Sequence, residues 1–222
     1  MNENELIEKA QVLCQEQNFD KALQTINKVF NINDRSYDAW NIKGAILQRL
    51  GQYENALRAY EKAIKINREN VWGWTNISSC LIEQKKYKEA LEVINESLRK
   101  MNDFRLYVNK AAILIELNNY EEALQASEKA IDTNSKSSEA YHNKSHALLK
   151  LTRYEEALSA IEEAIKLNSG EIKSWFKKGI ILLKLDRLEE ALRVYDKAID
   201  LDSENSELWR NKGIALIDCN RL

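Results

Sequence analysis

The segment RYEEALSAIEEAIKLN (residues 153–168) follows NYEEALQASEKAIDTN by thirty-four residues and precedes RLEEALRVYDKAIDLD by thirty-four. A fixed period of this length constrains the fold more than any other feature. It marks one supersecondary unit that cannot bury its apolar face alone and must stack on its neighbours. The residue opening each phrase is Phe19, Tyr53, Tyr87, Tyr120, Tyr154, Leu188 and Leu222, at intervals of 34, 34, 33, 34, 34 and 34. Alanine follows three residues later at Ala22, Ala56, Ala90, Ala123, Ala157 and Ala191. Seven residues further stand Ala63, Ser97, Ala130, Ala164 and Ala198, with Val29 in the first unit.

The other arm of each unit has its own marks. Leu6, Trp40, Trp74, Tyr107, Tyr141, Trp175 and Trp209 are each followed four residues on by a small residue: Ala10, Gly44, Ser78, Ala111, Ser145, Gly179 and Gly213. Tyr154, Ala157, Leu158, Ile161, Ala164 and Ile165 fall on one helical face, so each unit reads as two amphipathic helices and a short turn. Proline is absent and glycine occurs six times, which leaves few helix breakers. Small residues let helices cross closely, and the recurring tryptophans are expected in the core. Ser36, Asn70, Ser137 and Asn205 are placed to cap helix N-termini.

These residues resemble the tetratricopeptide repeat (TPR), whose 34-residue helix–turn–helix unit carries W-x2-L-G-x2-Y followed by A-x3-F, A and P. WNIKGAIL (40–47) and WFKKGIIL (175–182) are similar to its first half, and YENALRAYEKAI (53–64) to its second. The resemblance implies an all-α right-handed superhelical solenoid forming a single domain over 1–222. Its repeats are 3–36, 37–70, 71–103, 104–137, 138–171 and 172–205, with a half repeat at 206–222. Two departures stand out. Lysine replaces the leucine before the small residue at Lys43, Lys110, Lys144, Lys178 and Lys212, which predicts a more solvated face. The terminal proline is replaced by Asp34, Arg68, Asn102, Ser135, Ser169 and Ser203, which predicts a less rigid stop between units.

Thirty-three basic and thirty-five acidic residues give a net charge of −2, which argues against nucleic-acid or membrane-surface binding by global charge. No apolar run reaches the length of a bilayer span, and MNENELIEKAQ lacks the character of a secretory signal. Cys14, Cys80 and Cys219 are odd in number and lack metal spacing, so reduced thiols in a cytoplasmic protein are expected. No phosphate loop, GxSxG or HExxH is present, so neither catalysis nor a cofactor is expected. The pairs Glu121–Glu122 and Glu155–Glu156 recur at repeat positions and read as a solvated face. His142 and His146, four residues apart with Glu139 nearby, match a zinc site only loosely, and no metal is expected.

In TPR proteins the concave groove is lined by positions 2, 5, 6, 9, 12 and 13 of each unit. The resemblance therefore turns Asn76, Asn109, Asn143 and Asn211, all at position 6, into a ladder. Asparagine is a poor helix former, and its amide can both donate to and accept from an extended peptide. Lys173, Lys177, His142 and His146 with Lys150 and Lys184 make a basic stretch of groove. Asn143, Lys173 and Lys177 match part of the carboxylate clamp of chaperone-binding TPR domains, while Val108 and Ala112 break the rest. Trp72, at position 2, is expected either to anchor a partner or to pack on the previous unit. The expected function is a non-catalytic scaffold that binds a protein or peptide of acidic character, with no nucleic acid or membrane partner. The last helix keeps the internal pattern at Ile214, Leu216 and Ile217. It is expected to belong to a longer protein, with the regulatory arm of an enzyme as one alternative, or to self-assemble into a homo-oligomer through 206–222.

Overall fold

The computed structural model describes residues 1–219; Leu222, expected to open a further helix, lies outside the described residues. Thirteen α-helices and no strand occur among the described residues. They are α1 (Glu3–Gln15), α2 (Phe19–Val29), α3 (Tyr37–Arg49), α4 (Tyr53–Ile66), α5 (Val71–Glu83), α6 (Tyr87–Leu98), α7 (Phe104–Glu116), α8 (Tyr120–Thr133), α9 (Ser138–Lys150), α10 (Tyr154–Leu167), α11 (Ile172–Lys184), α12 (Leu188–Leu201) and α13 (Ser206–Cys219). Every even-numbered helix begins at the aromatic or leucine that opens its sequence phrase. The chain divides within α7 into two compact units, Met1–Asn109 and Lys110–Leu222. In the first unit α1 to α5 pack each on the next, and α5 on α6; in the second, α8 to α13 pack in series.

Local chemistry sets the boundaries. Ser36 and Ser137 accept from the backbone N–H groups of Ala39 and Ala140, and Asn70 from that of Trp72. Asn205 accepts from Glu207 and Leu208. Asn2 and Glu5 form a reciprocal capping box on α1. The turns inside the units run through a residue of left-handed φ: Gln17, Gly51, Lys85, Asn118, Thr152 and Asp186, with φ between 58° and 72°. The next residue then donates to the carbonyl of a leucine five back, as Arg153 does to Leu148 at 2.9 Å. This is the Schellman closure of a helix C-terminus. The even-numbered helices before α13 start directly from these turns and have no side-chain cap.

The small residues lie where the helices cross. The six alanines from Ala22 to Ala191 have no exposed surface, and neither do Val29, Ala63, Ser97, Ala130, Ala164 and Ala198. A second fit links residues sixteen apart. A Cβ added to Gly44 or Gly179 would come within 2.5 Å of the ring of Tyr60 or Tyr195. Where the first residue is Ala10, Ser78 or Ser145, its partner position holds Ile26, Ile94 or Ile161, all fully buried. At these five crossings a larger residue on one side meets a smaller one on the other, whereas Ala111 and Ser127, both small and fully buried, form the corresponding pair in the fourth repeat.

Two expectations need correction. Of the recurring tryptophans only Trp74 is buried; Trp40 and Trp175 are half-buried and Trp209 is 51% exposed. Each indole N–H donates to a backbone carbonyl six residues earlier, which ties the ring to the segment that precedes its helix. The lysines that replace leucine do not simply face solvent. Lys144 pairs with Glu128 at 3.0 Å, Lys178 with Glu162 at 2.8 Å, and Lys212 with Asp196, the lysine side chains being 29%, 20% and 24% exposed. Each pair ties an odd-numbered helix to the helix before it.

Candidate functional site

In the second unit α9 and α11 bring His142, His146, Lys173 and Lys177 together; Asn143 follows His142 on α9. His142 Nδ1 lies 3.0 Å from the hydroxyl of Ser174, which is fully buried and donates to Glu171 Oε2 at 2.8 Å. The serine hydrogen is committed to the carboxylate, so the imidazole proton sits on Nδ1 and Nε2 keeps its lone pair. Burial, then the charges of Lys177, His146 and Lys173, push His142 down to about 3. Burial, then Lys177 and Lys150, push His146 down to about 4. Burial and Lys150 lower Lys177 to about 8. All three shifts have one physical cause, a desolvated group of like charges. Among the described residues no carboxylate within 4.0 Å pairs with Lys150, Lys173 or Lys177, whereas their neighbours Lys144 and Lys178 are both paired.

Glu139 is exposed and accepts from the hydroxyls of Ser137 and Ser138. Among the described residues no three His, Cys, Asp or Glu side chains converge as metal ligands. No described helix is long and apolar enough to cross a membrane.

The asparagines occupy different settings. In the first unit Asn76 Nδ2 donates to Asn41 Oδ1 at 2.9 Å, and Asn109 Nδ2 to the buried Ser78 hydroxyl at 2.9 Å. Both bonds join consecutive odd-numbered helices. Asn211 donates to the Glu207 carbonyl within α13 at 2.8 Å. These N–H groups therefore already have partners inside the chain. The carbonyl oxygens of Asn76 and Asn109 complete each amide. Asn41 and Ser174 were not singled out in the sequence, and Ser78 only as a small residue at a helix crossing; their signal is a polar residue on the odd-numbered helix beside each asparagine or histidine.

Trp72 is 53% exposed, and the Arg105 guanidinium stacks 4.5 Å from its ring centroid. Arg105 in turn grips Asp103 through two bonds of 2.8 and 2.6 Å. Trp72, Met101, Asn67 and Asn70 line an open cavity of about 590 Å³. The ring therefore lies on the surface with a cation over it and is not buried against the preceding helices.

Comparison with known proteins follows the same lines. A tetratricopeptide-repeat family model matches residues 104–137, and another matches 142–206 and 176–218. The model for the C-terminal ARM domain of tetratricopeptide repeat protein 21 matches residues 2–107. The chain belongs to the tetratricopeptide-repeat family. Repeats of this family generally serve as non-catalytic interaction modules. No curated protein sequence matches the chain. Among solved structures, YrrB, described as a TPR protein with an unusual peptide-binding site, is 22% identical, with 85% of this chain and 97% of that chain covered and a TM-score of 0.61. PilF of Pseudomonas aeruginosa is 18% identical over 95% and 96% of the two chains, with a TM-score of 0.78. Yeast Tom70 is 17% identical over 99% of this chain and 47% of its own, with a TM-score of 0.79. At these identities the likeness is one of fold.

Proposed function

We propose that the chain is a non-catalytic interaction scaffold whose second unit holds an acidic peptide segment across α9 and α11. The observation that carries this reading is the set of cations at Lys150, Lys173 and Lys177 left, among the described residues, without carboxylate partners beside lysines that have them. A ligand carboxylate relieves their repulsion and accepts charge-assisted hydrogen bonds. His142 and His146 stay neutral at pH 7 and present aromatic edges, while Asn143 flanks them on α9. Asn76 and Asn109, fixed by Asn41 and Ser78, offer carbonyl oxygens to a peptide backbone on the first unit, and Trp72 adds an exposed ring. The free thiols at Cys14 and Cys80 support a reducing, cytoplasmic location.

The test is fluorescence anisotropy with a labelled peptide of six glutamates and its six-glutamine counterpart. The glutamate peptide binds, its affinity falls with salt, and Lys173→Gln with Lys177→Gln weakens it at least tenfold. Equal binding of both peptides, or full affinity in the double variant, overturns the reading.

One observation favours a second reading, self-association through α13. Leu216 is 43% exposed, whereas its equivalents Leu47, Leu81, Leu114, Leu148 and Leu182 are at most 5% exposed. Ile214 and Ile217 beside it are 47% and 55% exposed. Light scattering of wild type against Leu216→Glu decides this: a monomer at every concentration removes it.

A further inference from the structure

The lysine–carboxylate ties between helices follow one rule. Three of the five repeating lysines meet an acid sixteen residues earlier: Lys144 with Glu128, Lys178 with Glu162, Lys212 with Asp196; Lys110 has the apolar Ile94 at that distance. On α3 the lysine is Lys43, and the residue sixteen earlier is Asn27. The ammonium donates to the Asn27 side-chain oxygen at 2.8 Å. That bond satisfies a hydrogen and leaves the charge uncompensated.

Further cations gather at the same place. Lys62 Nζ stands 4.2 Å from the Trp40 ring centroid, and Lys43 Nζ lies 5.3 Å from Trp40 and 5.2 Å from Phe30. Trp40 and Phe30 are themselves stacked at 4.1 Å. Lys43, Arg58 and Lys62 line a cavity of about 400 Å³ with Trp40, Asn27 and Asn55, and leucine and alanine side chains form its remaining wall. None of the three cations has a carboxylate within 4.0 Å among the ion pairs of the described residues. Burial and the charge of Lys62 hold Lys43 below its ordinary range, as expected of like charges crowded without a counter-charge.

We propose that this cavity binds the carboxylate of an acidic residue in a partner peptide, in the place that Glu128, Glu162 and Asp196 take on the equivalent lysines. Asn55 and Asn27 supply amide donors beside the lysines, and the aromatic and aliphatic wall seats an apolar side chain next to the acid. The cavity lies on the side of α3 that faces α2 and α4, within the first unit. It is independent of the α9–α11 cluster.

The test follows the Trp40 indole N–H by NMR, assigned with Trp40→Phe, during titration with the blocked peptide Ala-Leu-Glu-Leu-Ala, the same peptide with glutamine, and inorganic phosphate. The glutamate peptide shifts the resonance saturably, and the glutamine peptide binds at least fivefold more weakly. Lys43→Gln weakens the glutamate peptide by a similar factor. Asn27→Glu supplies the missing acid internally, so it abolishes the response while keeping or raising the melting midpoint. Loss of binding in that variant therefore does not reflect unfolding. Lys173→Gln with Lys177→Gln leaves the Trp40 response unchanged, which separates this site from the one on α9 and α11. No shift at millimolar peptide, undiminished binding by Asn27→Glu, or equal binding of the glutamine peptide overturns the proposal. So does phosphate that moves the resonance as strongly as the peptide does.

Discussion

The indole Nε1 of Trp74 donates to the backbone carbonyl of Arg68 at 2.9 Å. The same six-residue span joins Trp40 to Asp34, Trp175 to Ser169 and Trp209 to Ser203, at 2.8 to 2.9 Å. Asp34, Arg68, Ser169 and Ser203 are four of the positions where the TPR pattern carries proline. A proline stiffens such a joint by fixing φ; here a ring from the next helix ties the carbonyl instead. Trp74→Phe removes this bond and part of a buried ring, at a cost of about 2–3 kcal/mol. Trp209→Phe, at a half-exposed ring, costs under about 1 kcal/mol. Urea unfolding midpoints of the two variants check the difference.

The Gly179–Tyr195 contact predicts a sharp contrast between two glycines. Gly179→Ala forces the Tyr195 ring to move and costs about 1–3 kcal/mol. Gly213 has nothing within 4 Å of an added Cβ, so Gly213→Ala gains up to about 1 kcal/mol of helix propensity. Thermal midpoints of the two single variants decide this. Equal destabilisation by both would sink the packing argument.

Thr152 holds φ at 60°, a conformation in which a β-branched side chain is strained. Glycine adopts it freely. Thr152→Gly therefore stabilises the α9–α10 turn by about 1 kcal/mol despite glycine's greater freedom in the unfolded chain. A lower urea midpoint would show that the threonine makes compensating contacts.

The depressed imidazoles give stability a pH dependence of definite sign. His142 and His146 titrate near 3 and 4 when folded and near 6.5 when unfolded. Between these values the unfolded chain binds more protons, so stability is full above about pH 6.5 and falls as pH drops towards 4. The loss by pH 4.5 is on the order of 2–4 kcal/mol. His142→Gln with His146→Gln flattens the profile, measured as the melting midpoint from pH 7.5 to 4.5. Lys177, lowered to about 8, carries the matching cost at neutral pH. Lys177→Met raises stability by about 1–2 kcal/mol, discounted for partial exposure, while weakening acidic-peptide binding.

Periodicity made the helices legible because the phrase-opening residues Phe19, Tyr53 and Tyr154 lie at real helix starts, and Ala22 and Ala157 at real crossings. The turns were less legible. Five of the six left-handed positions carry residues other than glycine, so the usual composition signal is missing. The tryptophans showed their register, but exposure depends on what the next helix covers, as Trp209 demonstrates. Lys144 and Lys178 looked solvated because their acids lie sixteen residues away, a separation that matters only once the helices stack. The basic character of α9 and α11 was visible in the sequence. The second cluster at Lys43 was not, since it depends on an acid being absent from position 27.

The pairing of Gly44 with Tyr60, Ser78 with Ile94 and Gly179 with Tyr195 has a consequence for how such a chain changes over generations. Both members of each pair sit inside one thirty-four-residue unit, so copying a whole unit transmits a matched pair. An exchange whose breakpoint falls between the two members could join a tyrosine to a serine, or an isoleucine to a glycine. The first product is overfilled and the second hollow. Recombination is then tolerated at the joints and penalised within units, and the module of inheritance coincides with the module of packing.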